Sequence, residues 1–211
     1  MTVSEFGERQ LLARIRARLG ILSRPSTGLI IGIGDDAAVV APTRRAHTVL
    51  TTDAQVEGVH FERRFSSSAD IGYRAMAVNL SDLAAMGASP RWALLSLILP
   101  DDLLVEELDG IVGGVVESAE KYGVSVIGGN LARSPGPLIV DITAVGAVGP
   151  RRVLTRSGGR AGDELYVSGT IGGAAAGLAM LAVTPGRRHN AIEEGAGSSP
   201  DNSCITKYRR P

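Results

Sequence analysis

The chain has 211 residues, and its 22 basic and 22 acidic side chains give a formal charge of zero. This balance argues against a nucleic-acid-binding protein and against a polybasic membrane binder, because both need a net positive field. A hydrophobic fraction of 44% argues against general disorder. The single cysteine, Cys204, cannot form an internal disulfide, and no basic-then-apolar leader or bilayer-length apolar run is present. We therefore expect a cytoplasmic protein with neither nucleic-acid nor membrane partners.

The first part of the chain predicts one helix followed by three strands. Thr2 and Glu5 have the spacing of a capping box, and apolar residues then recur at helical intervals up to Gly20. Short apolar, β-branched runs follow the helix. The strands are predicted at residues 28–34, 37–41 and 47–52.

The middle of the chain predicts alternating helices and strands. A helix capped by Asp70 and ending at Met86 is apolar or small nearly all round, which predicts a buried helix. The further elements are a strand at 91–99, an amphipathic helix at 102–122, and strands at 124–127 and 138–148. This alternation predicts an α/β (α+β) first domain, residues 1–149, with a mixed sheet flanked by helices.

A second segment begins at Pro150. It is predicted to contain a strand at 164–168, a glycine-rich loop and a helix at 174–181. Glycine, proline and serine dominate residues 184–202, which predicts a flexible stretch. Residues 150–211 therefore predict the start of a second α/β domain that is incomplete.

Carboxylates stand at predicted strand ends and on the buried helix. Asp35 and Asp36 follow one glycine-rich run, Asp53 ends another strand, and Asp82 lies one turn after Asn79. Each aspartate in a turn could simply be a turn-forming residue. If they converge, however, cations must neutralise them, and an all-oxygen ligand set favours Mg²⁺ shared with the phosphates of a nucleotide.

The common phosphate-binding fingerprints are absent. Glycine-rich turns occur at IGGN (residues 127–130) and SGTIGG (residues 168–173), but neither a P-loop nor G-x-G-x-x-G is present. Any phosphate binding would therefore depend on metal, backbone N–H groups and arginine, for which Arg156 is a candidate. His60 has no second His or Cys at metal spacing, which argues against zinc.

Five ordered segments resemble the thiamine-monophosphate kinase family, of the superfamily that includes aminoimidazole ribonucleotide synthetase and selenophosphate synthetase. They are GIGDDAAVV, TTDAQVEGVHF, AVNLSDLAAMGASPRW, IGGN and RRVLTRSGGRAGDELYVSGTIGGAAAGL. The resemblance runs in register over residues 4–181. It implies an aminoimidazole ribonucleotide synthetase-like fold and ATP-dependent phosphorylation of thiamine monophosphate to thiamine diphosphate. The attacking phosphate oxygen is already ionised, so no catalytic side chain is expected beyond positioning and metal ions.

The resemblance also implies the site residues. Its Mg²⁺ ligands would be Asp36, Thr51, Thr52, Asp53, Asp82 and Asn130. Its ATP-binding residues would be Gly129, Asn130 and Arg156. His60 would contact the substrate. Asn130 stands where the family usually has a metal-binding aspartate, so one negative charge is missing at that position.

The family continues beyond the segments matched here into further metal- and thiamine-binding motifs. We therefore expect a chain truncated in its second domain and impaired in activity. Two alternatives remain: a non-catalytic nucleotide-binding or dimerisation fragment, and another ATP-using synthetase of the superfamily. The resemblance further implies a homodimer formed through the first domain.

Overall fold

The computed structural model describes residues 1–20, 28–183 and 200–211. The helices are α1 (Val3–Phe6), α2 (Glu8–Leu19), α3 (Ser68–Ala85), α4 (Val105–Tyr122), α5 (Gly173–Val183) and α6 (Pro200–Arg209). The strands are β1 (Leu29–Ile31), β2 (Val39–Val40), β3 (His47–Val56), β4 (Ser89–Pro100), β5 (Ser125–Ser134) and β6 (Ile139–Val148). A 3₁₀ turn spans Arg156–Gly158. Within these described stretches, no helix is both long enough and apolar enough to cross a bilayer.

The beginnings of the helices show how local chemistry defines them. The capping box predicted for Thr2 and Glu5 is confirmed, because each side chain accepts a hydrogen bond from the other residue's backbone N–H. The single predicted helix is wrong, since Gly7 separates α1 from α2 with a φ of 86°. The cap predicted at Asp70 is also wrong: Ser67 caps α3, and Asp70 completes the capping box at the third helical position.

Four long strands form a mixed sheet in the order β3-β6-β4-β5. Strand β6 is antiparallel to both of its neighbours, whereas β4 and β5 are parallel and are connected through α4. This arrangement confirms the predicted mixed sheet flanked by helices. Strands β3 and β5 lie at opposite edges of the sheet, three strand spacings or roughly 14 Å apart.

Helices α3 and α4 cover one face of this sheet, which we call the covered face. Along β6, alternate side chains point into the core, so Val140, Ile142 and Ala144 are each 0% exposed. The two helices approach each other closely at Gly72, where a Cβ atom would lie 1.9 Å from the carbonyl oxygen of Ile111. The absence of a side chain at Gly72 therefore allows the two helices to pack closely.

The other face of the sheet, which we call the open face, is only partly covered. Strands β1 and β2 form a separate antiparallel pair. The loop between them and helix α2 both face strands β4 and β5 across a cavity. Away from this cavity the open face carries exposed apolar side chains, such as Leu50 on β3.

The described residues after 149 contain helices and no strand. The strand predicted at 164–168 is wrong, because Leu165 and Tyr166 are 100% and 82% exposed and the segment pairs with no described strand. A β-strand needs a neighbour to satisfy its backbone N–H and C=O groups. The stretch predicted to be flexible lies largely outside the described residues, at 184–199, but its last residues, 200–202, begin α6.

Helix α6 docks on the first 149 residues. At its end, the Arg210 guanidinium lies 2.6 Å from carboxylate oxygens of both Asp70 and Glu117. A small apolar cluster of Leu181, Ile205 and Tyr208 joins α6 to α5, and Phe65 from the first 149 residues packs against it.

Candidate functional site

A cavity of about 750 Å³ lies on the open face and contains three of the predicted site residues. Asp36 contributes from the β1–β2 loop, and Gly129 and Asn130 contribute from β5. Asp36 and Asn130 are both exposed, so their oxygens are accessible. The structure therefore brings together the predicted metal and nucleotide residues of these two segments.

Gly129 is required in this cavity for steric reasons. A Cβ atom at this position would lie 1.8 Å from the carbonyl oxygen of Leu95 on the neighbouring strand. Glycine therefore permits close approach of β4 and β5 and leaves the backbone beside Asn130 uncovered.

Thr51 and Asp82 meet on the covered side of β3. The Thr51 hydroxyl donates a hydrogen bond to Asp82 Oδ2 over 2.9 Å. Asp53 is half-buried and lies on the same face of β3 as Thr51, because side chains alternate along a strand. These three predicted residues therefore share one region at the β3 edge.

The polar pair predicted on α3 is divided between core and surface. Asn79 is 0% exposed, and its Nδ2 donates to the Ala75 carbonyl over 3.0 Å. Its Oδ1 has no partner among the described residues. Asp82, in contrast, is exposed, so the prediction of a buried carboxylate at this position is wrong.

Thr52 faces the opposite side from Thr51 and belongs to a polar group on the open face. Its hydroxyl lies 3.2 Å from Asp141 Oδ1 and 3.1 Å from the Thr143 hydroxyl. In the strand register, Asp141 is opposite Ser96, which is in turn opposite Asn130. A polar row therefore crosses all four strands of the sheet, from Thr52 to Asn130, and reaches the cavity.

Asp141 and the α2 side chains of the cavity wall were not predicted. The signal for Asp141 is a lone carboxylate within the apolar strand run IVDITAVGAV. The α2 contribution, by Glu8 and Arg16 among others, has no comparable signal, because only the tertiary fold brings that helix to the sheet.

The three aspartates predicted as Mg²⁺ ligands, Asp36, Asp53 and Asp82, do not form one cluster. In the part of the chain that the structure describes, no group of three or more His, Cys, Asp or Glu side chains could hold a metal ion. Asp53 lies on one edge strand, whereas Asn130 lies on the edge strand at the other side of the sheet. The predicted ligands are thus divided between the β3 edge and the cavity.

His60 lies in the turn that follows β3 and is exposed. Its Nδ1 accepts a hydrogen bond from the backbone N–H of Val56 over 3.1 Å, which fixes the ring in the turn. Nε2 has no hydrogen-bond partner in the described residues and remains available to a ligand.

Arg156 is exposed at the start of the 3₁₀ turn and makes no ion pair within the described ranges. Two residues earlier, the Leu154 N–H donates to the Met86 carbonyl over 3.2 Å. Met86 follows Asp82 by about one helical turn. The structure therefore brings the Arg156 segment to the end of α3 that carries Asp82, not to the cavity.

A second cavity, of about 540 Å³, contains none of the predicted site residues. Its lining includes Arg63, whose guanidinium already pairs with Glu57 at 2.7 Å and with Glu107 at 3.6 Å. The open-face cavity is therefore the stronger candidate for a site.

A comparison with family models finds one match, to the AIR synthase related protein, N-terminal domain, over residues 34–148. This range is more than half of the chain and includes the four-stranded sheet, both covering helices and most of the predicted site. The chain belongs to the AIR synthase related family. The expected superfamily and fold class are thereby confirmed.

Among curated proteins, the chain is similar to thiamine-monophosphate kinases. It is 36% identical to that of Bacillus subtilis (strain 168) over 86% of this chain and 54% of the relative. It is 41% identical to that of Escherichia coli (strain K12) over 83% of this chain and 52% of the relative. The chain thus spans about half the length of the curated relatives it matches.

Solved structures give the same result. The thiamine-monophosphate kinase of Stenotrophomonas maltophilia K279a superposes with a TM-score of 0.76 at 36% identity, over all of this chain and 62% of that one. AaThiL complexed with AMPPCP and TMP superposes with a TM-score of 0.69 at 34% identity, over all of this chain and 61% of that one. Both cover the site residues predicted from sequence.

Proposed function

We propose that this chain binds Mg·ATP and serves in the phosphorylation of thiamine monophosphate to thiamine diphosphate. The observation that carries the proposal is the full-length superposition on a relative complexed with AMPPCP and TMP at 34% identity. AMPPCP is an analogue of ATP, so that relative holds a stand-in for the phosphate donor together with TMP. Sequence identities of 36% and 41% to two curated kinases support the same activity.

The open-face cavity is the proposed nucleotide site. Its volume of about 750 Å³ is in the usual range for small-molecule sites. Gly129 leaves backbone accessible to a phosphate, and Asn130 offers both an amide donor and an amide acceptor. Arg156 is proposed to bind the nucleotide only if the ligand extends from this cavity to the end of α3 that carries Asp82, where the Arg156 segment lies.

The donor chemistry fits Mg²⁺. Asp36, Thr51, Thr52, Asp53, Asp82 and Asn130 offer carboxylate, hydroxyl and amide oxygens. These donors are divided between the β3 edge and the cavity, and no cluster of three acidic groups exists in the described residues. An ion at either place would therefore share its coordination with substrate phosphates, as Mg²⁺ commonly does. When bound, Mg²⁺ would neutralise the charge of the reacting phosphates.

The side chains themselves are proposed to position the reactants. The hydrogen bond from Thr51 orients the Asp82 carboxylate, and the contacts among Thr52, Asp141 and Thr143 fix the polar row on the open face. His60 would donate a hydrogen bond through Nε2–H at the thiamine substrate, because its Nδ1 already accepts from the Val56 N–H. Such positioning is the main contribution that a protein makes to phosphoryl transfer.

We further propose a cytoplasmic homodimer in which the open face packs against a second copy. Leu50, on the open face away from the cavity, is 68% exposed, and an exposed apolar side chain of this kind is stabilised by being covered. Leu50→Lys should shift the molecular mass measured by light scattering from dimer to monomer. A monomeric parent chain would refute the dimer without affecting the nucleotide site.

Binding and turnover should be measured separately on the purified 211-residue chain. Calorimetric titration with Mg·ATP, repeated with EDTA, tests the nucleotide and metal sites, and chromatographic detection of thiamine diphosphate tests the transfer. Asn130→Asp, which restores the charge usual in the family, should tighten Mg²⁺-dependent binding. Binding without product would favour the nucleotide-binding fragment, and absence of both would refute the proposed function.

A further inference from the structure

Two different faces of helix α2 contact two different parts of the molecule. Leu12, Ile15 and Arg16 face the open-face cavity and form one of its walls. Arg14 and Arg18, one helical turn apart, face α4 instead. The position of this cavity wall therefore depends on how α2 is held against α4.

The carboxylate of Asp109 on α4 binds both arginines. Asp109 Oδ1 accepts hydrogen bonds from Arg14 Nε at 2.7 Å and from Arg18 Nε at 3.0 Å. Asp109 Oδ2 pairs with Arg18 Nη2 at 2.9 Å and also contacts Arg14 Nη2. Both guanidinium groups thus bind the carboxylate in the two-point geometry that fixes orientation as well as distance.

Asp109 is well placed for this role because it is only 8% exposed and lies on α4, within the helical layer of the core. Helix α2, in contrast, has no side-chain hydrogen bond at its N-cap, which is Gly7. The buried side chains of α2 are those of Leu11 and Leu19, which are apolar. Apolar contacts tolerate rotation and sliding, whereas two fork-shaped ion pairs on one carboxylate do not.

The α2 wall also determines the charge of the cavity. The lining of the cavity carries the carboxylates of Glu8 on α2 and of Asp35 and Asp36 on the β1–β2 loop, and Arg16 on α2 is its basic residue. A polyphosphate entering this cavity would need a cation opposite those carboxylates. Displacing α2 would move Arg16 away from the site.

We propose that Asp109 is a positioning residue for the nucleotide cavity, acting through Arg14 and Arg18 on α2 and without touching the ligand. This inference rests on the proposed function for the identity of the ligand, but the position of the wall can be tested without any ligand. Trp92, the single tryptophan of the chain, lines the same cavity and is only 4% exposed.

The test compares Asp109→Asn with Glu117→Gln. Both substitutions replace an α4 carboxylate by its amide and remove an arginine pair, but Glu117 pairs with Arg210 of the C-terminal segment and not with α2. In Asp109→Asn we expect acrylamide quenching of Trp92 fluorescence to increase. The dissociation constant for Mg·ATP, measured well below the melting temperature, should rise about five-fold or more, the lower end of coupling between separate sites. Glu117→Gln should leave both quantities at parental values.

Two further variants make the test specific. Arg14→Gln and Arg18→Gln should each give part of the effect, and neither should add to it in the Asp109→Asn background, because the shared partner is already lost. If Asp109→Asn does not fold, Arg14→Gln provides the same measurements, since Arg18 still holds the carboxylate.

Folded variants with parental quenching and parental Mg·ATP affinity would overturn the inference. Equal changes in Glu117→Gln would also overturn it, because they would indicate a general loss of stability. If the parent chain does not bind Mg·ATP, the proposed function fails, and the Trp92 quenching alone decides the role of Asp109.

Discussion

The two faces of the four-stranded sheet use the same strands for different purposes. On β6, Ile142 is 0% exposed against the covering helices, whereas its neighbours Asp141 and Thr143 face the other way and bond Thr52. Because side chains alternate along a strand, one residue contributes to the core and the next to the candidate site. Stability and ligand binding should therefore be separable by substitutions at adjacent positions.

The largest expected effect is on the covered face. Ile142→Ala should lower the free energy of unfolding by about 2–5 kcal/mol, because it removes buried methyl groups and leaves a cavity in a close-packed core. Urea denaturation followed by circular dichroism would measure this loss. The neighbouring substitution Thr143→Ala is the matched control and should cost less than about 1 kcal/mol. Similar losses at both positions would contradict the distinction between the two faces.

Gly129→Ala should disturb both stability and the cavity. Its new Cβ atom would collide with the Leu95 carbonyl, so β4 and β5 must separate, at a cost of about 1–3 kcal/mol. Mg·ATP binding should be lost or strongly weakened when measured by calorimetry. Gly123→Ala offers a comparison, because nothing described lies within 4 Å of its added Cβ atom. Gly123 has a positive φ, so its variant carries strain without any effect on the cavity.

The ion pairs of Asp70 and Asp109 should contribute to the fall in stability at low pH, which we call the acid limb. Burial raises the pKa of Asp70, but hydrogen bonds from Arg210 and Ser67 outweigh it and bring that pKa below its ordinary value. The Arg14 hydrogen bond is the largest cause that lowers the pKa of Asp109. Carboxylates with lowered folded-state pKa values stabilise the fold above the unfolded pKa of about 3.9 and lose this contribution as the pH falls through the folded values.

Melting temperatures recorded between pH 2 and pH 7 would test this dependence. In the parent, the contribution of these two groups should be fully present and constant between about pH 5 and pH 7, and the melting temperature should decline below about pH 4. Asp70→Asn and Asp109→Asn should each lower the melting temperature at pH 7, by about 2–4 °C, and flatten the acid limb. A parental slope in both variants would show that the pairs do not stabilise the fold.

The smallest expected change in stability is at Asp82. Because this side chain is exposed, Asp82→Asn should alter the free energy of unfolding by no more than about 0.5 kcal/mol. It should nevertheless weaken the Mg²⁺-dependent part of ATP binding, since the carboxylate beside Thr51 loses its charge. Glu120→Gln is the control for general charge effects, because Glu120 is also an exposed carboxylate but lies on α4. Unchanged Mg²⁺ dependence in Asp82→Asn would remove this residue from the proposed site.

Local sequence chemistry predicted the regular elements well where a periodic pattern coincides with a buried face. Helix α4 and strand β6 follow their 3.6- and 2-residue periods, because burial of one face selects the register. The predicted strand at 164–168 fails for the complementary reason. Its residues have high strand propensity, but no described neighbour supplies the hydrogen bonds that would make it a strand.

The sequence by itself determined the class of fold, the family and the residue types of the candidate site. GIGDD, TTD and IGGN carry oxygen donors and glycines beside apolar runs, and that chemistry can be read one segment at a time. The predicted position at strand ends is wrong for TTD and IGGN, which lie within β3 and β5. Only the tertiary structure decided which of these residues meet. Strand order places Asp53 and Asn130 at opposite edges, pleating turns Thr51 and Thr52 to opposite faces, and the pairing of Asp109 with two distant arginines brings α2 to the cavity. These relations depend on contacts between residues far apart in sequence, for which no local periodicity leaves a signal.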